Sequence, residues 1–393
     1  MNLPIDIPAL LSAATDIDAA RTTPLAVSVY LDETAPGDVV GHVRSAFASA
    51  GARTRVTLGY LDDGAPAPYQ ADDMAVIVAG SAPFIGEAAA HIRAVGIPVM
   101  VVTTQPHGVA AAAAAAGCAI PEGDLVAPHM TDPAPLADAA ATLARRVTAV
   151  RGAGAEPAAA PETAAELALL EHPAPVEEDP AADEPIVLDE EAAATLDRRM
   201  GEWIIAACRD KKLAFALAFP FVRRPLSLDA VRATAIQNAG VGVVVFIPGA
   251  DMPIMTLNQA KMLLQIAAAY GQPLSAERIK ELAAVVGGAF LFRNIARTAV
   301  GVVPVLGWAI KGAVGFAGTE AMGRAAIEYF EAGGDIVGVA NVVQKARDEA
   351  VEAAGKAAST PAGRKVVDAA KDAGRATWRG LRGKNGKGVH AKH

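Results

Sequence analysis

The stretch from Ala235 to Glu331 constrains this chain more than any other. It is long, apolar and Gly-rich, and it contains IPGADMPIMTLNQAKMLLQIAAAYG and, further on, VVGGAFLFRNIARTAVGVVPVLGWAIKGAVGFAGTEAMG. Such a run has to be buried, in a tight helical bundle or in lipid. It carries no grouping of side chains suited to bond-making, so it points to architecture and location before chemistry.

The 393 residues are enough for two ordinary domains. The apolar fraction is 52% and the aromatic fraction 5%, so the cores are expected to be built from small and β-branched side chains. Cys118 and Cys208 are the two cysteines. They make no disulfide framework, and a reducing, cytoplasmic compartment follows as the expectation. The opening MNLPIDIPALLSAATDIDAARTT has no basic region ahead of an apolar one and does not read as a secretory signal. Residues 1–24 read as an N-terminal extension.

Residues 25–150 alternate between strand and helix patterns. PLAVSVYLD, RTRVTLGYL, DDMAVIVAG, IPVMVVTTQ and DLVAPHM read as strands. GDVVGHVRSAFASAG, APFIGEAAAHIRAVG, the Ala run ending at Gly117 and DPAPLADAAATLARRVTAV read as helices, with Asp132 as the last N-cap. This alternation predicts a doubly wound, mostly parallel sheet with helices on both faces. Residues 151–191 are rich in Pro and Ala. From Glu156 to Glu191 there are twelve acids and no Lys or Arg, the composition of an acidic disordered linker, within which AAELALLEH forms at most a short docking helix. Residues 192–345 read as helical throughout, a Gly-rich bundle or hairpin, with Thr256 as an N-cap and Gly271 as a stop. Residues 346–393 read as a polar helix and a basic tail; Arg364 to Lys392 holds nine Lys or Arg against two Asp.

A phosphate loop after the first strand would need Gly-rich backbone and a Lys. The chain there reads DETAPGDVVGHV, with acids that repel phosphate and no Lys. No dinucleotide fingerprint stands at that turn. The histidines are scattered, so no metal site and no cofactor is expected. Ser81 follows a strand and precedes a helix but lacks the flanking pattern of a nucleophile elbow. The best ligand candidate is the crevice outside the carboxyl ends of the strands, at Ser81, Thr103, Thr104, His107 and His129; the same residues also serve as ordinary polar loop and capping positions.

The second half of the α/β region, DDMAVIVAG, helix, IPVMVVTTQPHG, helix, DLVAPHMTD, resembles the last units of GTPase-like domains. Thr104-Gln105-Pro106-His107 stands where that family carries its guanine-reading Asn-Lys-x-Asp, so the resemblance implies a degenerate, non-hydrolysing relative. Residues 225–335 resemble the YcjF-type uncharacterised family. The shared items are Pro248, Gly249, Asp251 and Pro253, Asn258-Gln259, Gly287-Gly288, and the run Pro304, Gly307, Trp308, Lys311, Gly312. That resemblance implies a helical domain found beside bacterial GTPase domains and often associated with membranes. It implies no catalytic residues.

A span needs about 20 apolar residues. Ala299 to Thr319 is long enough but holds Pro304 and Lys311, and a central Lys costs about 2.5–3.5 kcal/mol on insertion. A hairpin of close-packed helices improves the case, with Gly301, Gly307 and Gly312 at the contact. A soluble bundle with Lys311 in water is the other reading. In the tail, Arg375 and Arg379 flank Trp378 as in helices that lie on an anionic membrane surface. A protein partner or a homo-oligomer is also expected. No nucleic acid is expected, because no base-reading or stacking motif accompanies the charge. The function that follows is a non-enzymatic, membrane-associated adaptor; a soluble small-ligand-binding or weakly catalytic α/β protein with a helical oligomerisation domain is the alternative.

Overall fold

A computed structural model describes residues 6–48, 50, 51, 53–61, 70–128, 187–244, 251–277, 279, 280, 308–335, 338, 339, 342, 343, 345 and 346. The expected helix from Asp132, the acidic linker to residue 186, and the tail lie outside them. The chain forms two compact units, one from Pro24–Asp210 and one from Met1–Thr23 with Lys211–His393.

The first unit is the expected parallel sheet with helices. Its elements are β1 (Leu25–Asp32), α2 (Gly37–Ala48), β2 (Thr54–Leu61), β3 (Met74–Val78), α3 (Ile85–Ala94), β4 (Val99–Val102), α4 (Pro106–Ala115), β5 (Leu125–Val126) and α5 (Glu190–Ala207). The strand order is β2-β1-β3-β4-β5, and every neighbouring pair is parallel. β3 and β4 are buried at every residue, which is why their sequences, MAVIV and VMVV, are continuous apolar runs. One face packs on α3 and α4 through Ile77, Val99, Val101, Ile85, Ile92 and Val109. α5 packs on β4 and β5. Its N-cap Asp189 accepts from the Ala192 N–H at 2.8 Å, and Asp197 holds His42 of α2 at 2.7 Å.

The sequence places that helix at the start of the helical domain, from residue 192. The structure puts it with the sheet instead, and starts it two residues earlier. Ala192, Leu196, Met200, Trp203 and Ile204 form its buried stripe; their spacing fits a helix on a sheet as well as one in a bundle, so the pattern alone does not assign the partner. The RTRVTLGYL alternation is present in β2, but this is an edge strand and its inner face is only half covered. DLVAPHM contributes the two residues of β5.

The second unit is helical in its described residues: α1 (Ile7–Arg21), α6 (Lys212–Ala218), α7 (Arg223–Val244), α8 (Asp251–Ala269) and α9 (Trp308–Glu331). The N-terminal segment is thus part of this unit and not an extension. Asp6 caps α1 by accepting from the Ala9 N–H at 3.0 Å. Leu10, Ala14 and Ile17, at helical spacing, join the core of α7, α8 and α9, and the Arg21 guanidinium donates to the Gln272 carbonyl. Thr256 is not a cap. It is buried inside α8, because the helix starts five residues earlier at Asp251 and admits Pro253 in its first turn, where Pro costs no hydrogen bond. Gly271 does end the helix. Its φ of 75° lets Gln272 N–H reach Ala267 O and Gly271 N–H reach Ala268 O, both at 2.9 Å, the paired closure that a left-handed residue permits.

α7 and α9 form the tightest pair, running antiparallel. Arg224 meets Glu331, Gly323 faces Val231, and Asn238 meets Thr319. A Cβ on Gly323 would overlap the Val231 side chain, so glycine is what lets the two helices approach. Among the described residues no helix is long and apolar enough to cross a membrane.

Candidate functional site

Strand order reverses between β1 and β3, and in open parallel sheets ligands sit outside the carboxyl ends of the strands at such a reversal. Here that place is occupied from within. Asp32 ends β1 and is 3% exposed. Its carboxylate accepts three hydrogen bonds: Gly80 N–H at 2.7 Å, Thr34 Oγ1 at 2.6 Å and Thr34 N–H at 3.1 Å. Gly80 follows β3, and a Cβ there would overlap the Thr34 carbonyl. The β1 loop and the β3 loop are therefore in direct contact, tied by one carboxylate. The backbone N–H of Gly80, the kind of donor a phosphate would need, is spent on Asp32, and the carboxylate would repel an anion placed beside it.

The expected crevice residues divide into two sets. Ser81 and His107 are exposed, Ser81 just past Gly80 and His107 in the first turn of α4. Thr103 and Thr104, at the end of β4, are fully buried. Thr103 Oγ1 accepts from the Gln105 N–H at 3.0 Å and so braces its own loop. Thr104 Oγ1 is buried with no hydrogen-bond partner, an arrangement that costs free energy. His129 lies outside the described residues. Among the described residues no group of three His, Cys, Asp or Glu is placed to hold a metal ion. Asp32 is not among the crevice residues that the sequence predicts. Its signal was present in DETAPG, the acid-bearing turn where a phosphate loop would need Gly and Lys.

A second polar cluster sits at the start of the sheet's free edge. Asp72 has its side chain 1% exposed and holds the Arg55 guanidinium at 2.6 Å and the Ser28 hydroxyl at 2.5 Å. Tyr30, beside Ser28, has its phenol pushed above the usual value, mainly by burial and further by the Asp72 charge. This cluster fastens β2 to β1.

In the helical unit, three helix ends point the same way: the end of α7 and the starts of α8 and α9. Below them lies a layer of neutral polar side chains. Thr319 Oγ1 accepts from Asn238 Nδ2 at 3.0 Å and from Gln259 Nε2 at 3.1 Å, and Asn258 Nδ2 donates to Asn238 Oδ1 at 3.0 Å. Beyond that layer the described sequence reads AGVGVV, DMPIMTL and WAIKGAVGFAG, in which Asp251 and Lys311 alone are charged. Trp308, Lys311 and Gly312 lie on the first part of α9. Gly301, Pro304, Gly307, Arg375, Trp378 and Arg379 lie outside the described residues.

Compared with known proteins, the chain matches no family model, no curated protein and no solved structure.

Proposed function

We propose that this chain is a non-enzymatic adaptor, its α/β unit binding a partner protein or small ligand and its helical unit associating with a membrane. The observation that carries the first half is the Asp32 carboxylate at the strand-order reversal, bonded to Gly80 and Thr34. A hydrolase of this architecture needs that ground for phosphate. The likeness to degenerate GTPase-like domains, which lack the guanine-reading acid, agrees with this reading.

Membrane association is supported by the apolar end of the helical unit and by its YcjF-type likeness. The polar layer at Asn238, Asn258, Gln259 and Thr319 fixes helix register beneath that end, as interhelical amide and hydroxyl bonds do in and near lipid. The arrangement favours a dip into the bilayer interface over a full span, since Lys311 stands near the middle of the longest apolar run.

The test is nucleotide turnover and equilibrium dialysis with Mg-GTP and Mg-ATP on the full chain. The expected result is neither turnover above the uncatalysed rate nor retained nucleotide. Turnover abolished by Gly80→Ala would contradict the proposal.

The orphan hydroxyl of Thr104 favours a second reading, a small polar ligand admitted beside Ser81 and His107 when the β4 loop opens. A thermal-shift series with neutral and anionic metabolites separates the two, because a ligand reaching Thr104 raises the melting temperature of wild type but not of Thr104→Val.

A further inference from the structure

The α/β unit, Pro24–Asp210, is flanked in sequence on both sides by residues of the helical unit. The chain leaves the helical unit after α1, runs through the whole sheet and returns at Lys211. Elements consecutive in sequence usually pack together. α1 departs from that pattern. Only Thr22, Thr23 and Pro24 separate it from β1, yet it packs on α6 and α8. Its Arg21 guanidinium donates to the Gln272 carbonyl, 251 residues along the chain.

An inserted domain needs its entry and exit side by side. Within the α/β unit both lie at Asp73, just before β3. The Asp73 N–H donates to the Ala26 carbonyl at 2.8 Å, and the Asp73 carboxylate accepts from the Ala26 N–H at 3.0 Å. The Asp73 carbonyl lies 3.9 Å from the Cys208 Sγ. Ala26 is at the start of β1 and Cys208 caps the end of α5. One residue therefore joins the strand by which the chain enters to the helix by which it leaves. Within the helical unit the matching ends also meet. α1 packs on α6, the first α-helix after the return, and Leu213 of α6 packs against the core that holds Leu10, Ala14 and Ile17.

We propose that α1 is a strap that closes the helical unit from the other side, in sequence, of an inserted α/β unit. Its seat holds it, not its chain connection. The seat is apolar: Leu10, Ala14 and Ile17 are buried in one core with residues of α7, α8 and α9. Both ends of the helix are sealed locally. Asp6 caps the start, and the Thr22 and Thr23 hydroxyls donate to the Ala19 carbonyl at 2.9 Å and 3.3 Å. A helix of 15 residues is marginal by itself in water, so α1 stays helical only while docked. A change of state in the α/β unit leaves the helical core shut. A change that unseats α1 opens that core and leaves the sheet intact.

The experiment is hydrogen exchange read by mass spectrometry on the full chain. A specific protease site is inserted between Thr23 and Pro24 and then cut. The amides from Leu10 to Ile17 are expected to keep their protection to within about tenfold of the uncut chain. In a second arm the chain is left uncut and carries Ile17→Asp, which puts a charge into the seat. Exchange in α8 is expected to speed up by about tenfold or more, while β3 and β4 exchange as in wild type. α1 amides that exchange at the free-peptide rate after the cut would overturn the strap. So would an Ile17→Asp chain whose α8 keeps its wild-type protection, or whose β3 and β4 lose protection together with α8.

Discussion

The Asp32 carboxylate accepts the Gly80 N–H at 2.7 Å, tying the end of β1 to the end of β3 where the strand order reverses. Since Asp32 is 3% exposed, its bonds are made out of water, where hydrogen bonds to a charged group contribute about 1.5–3 kcal/mol. Asp32→Ala leaves the Gly80 and Thr34 N–H groups without that acceptor. The expected loss is about 2–4 kcal/mol of stability, and Asp32→Asn, which keeps one acceptor oxygen, loses less. Urea unfolding followed by hydrogen exchange in β1 and β3 measures it. An Asp32→Ala protein as stable as wild type would show that the carboxylate ties nothing.

Thr104 gives the opposite expectation. Its hydroxyl is buried without a partner, so Thr104→Val removes an unsatisfied group and keeps the shape. Stability is expected to be unchanged or raised by about 1–2 kcal/mol. A clear loss in the same unfolding experiment would mean that the hydroxyl is bonded in solution.

In the helical unit, Thr319 serves two amide donors at once. Thr319→Val strands the Gln259 amide and leaves Asn238 Nδ2 only a long bond of 3.5 Å to the Met255 carbonyl, at a cost of about 1–3 kcal/mol. Gln259→Leu in the Thr319→Val background removes one stranded group and should recover part of the loss. A double variant no better than the single one, by urea midpoint, would argue that the layer is not a coupled network.

The phenol of Tyr270 donates to Glu331 at 2.9 Å. Burial chiefly, and then the Glu331 charge, push its pKa above the ordinary 10.0. The unfolded chain therefore releases this proton at a lower pH than the folded one. Stability is fully present below about pH 10 and falls as pH rises toward the folded value. Urea midpoints between pH 8 and pH 11.5 should drop more steeply for wild type than for Tyr270→Phe; parallel curves would contradict the assignment.

The sheet was legible because continuous runs such as MAVIV and VMVV, set between Gly-terminated helices, admit few other folds. Where the sequence misled, tertiary partners decided the outcome. The stripe from Ala192 to Ile204 is equally good against a sheet or a bundle, and nothing in it names β4 and β5. α1 carries a weak pattern in which Ala and Thr dilute Leu10 and Ile17, so its place in the helical core becomes visible only beside α8. At the candidate site, Thr103 and Thr104 are marked by their position after β4, but their burial depends on neighbours distant in sequence, as the Thr103 N–H bonded to the Val126 carbonyl at 3.0 Å shows. Asp32 read as an obstacle to phosphate; that it binds Gly80 is a contact across 48 residues, which local pattern does not encode.

Flotation of the full chain with vesicles asks whether the helical unit of this proposed adaptor associates with a membrane. With vesicles of mixed neutral and anionic phospholipid at about 0.1 M salt, most of the protein is expected to rise with the lipid, and Lys311→Glu to lower the bound fraction. Protein left at the bottom of the gradient with anionic and neutral vesicles alike would contradict it.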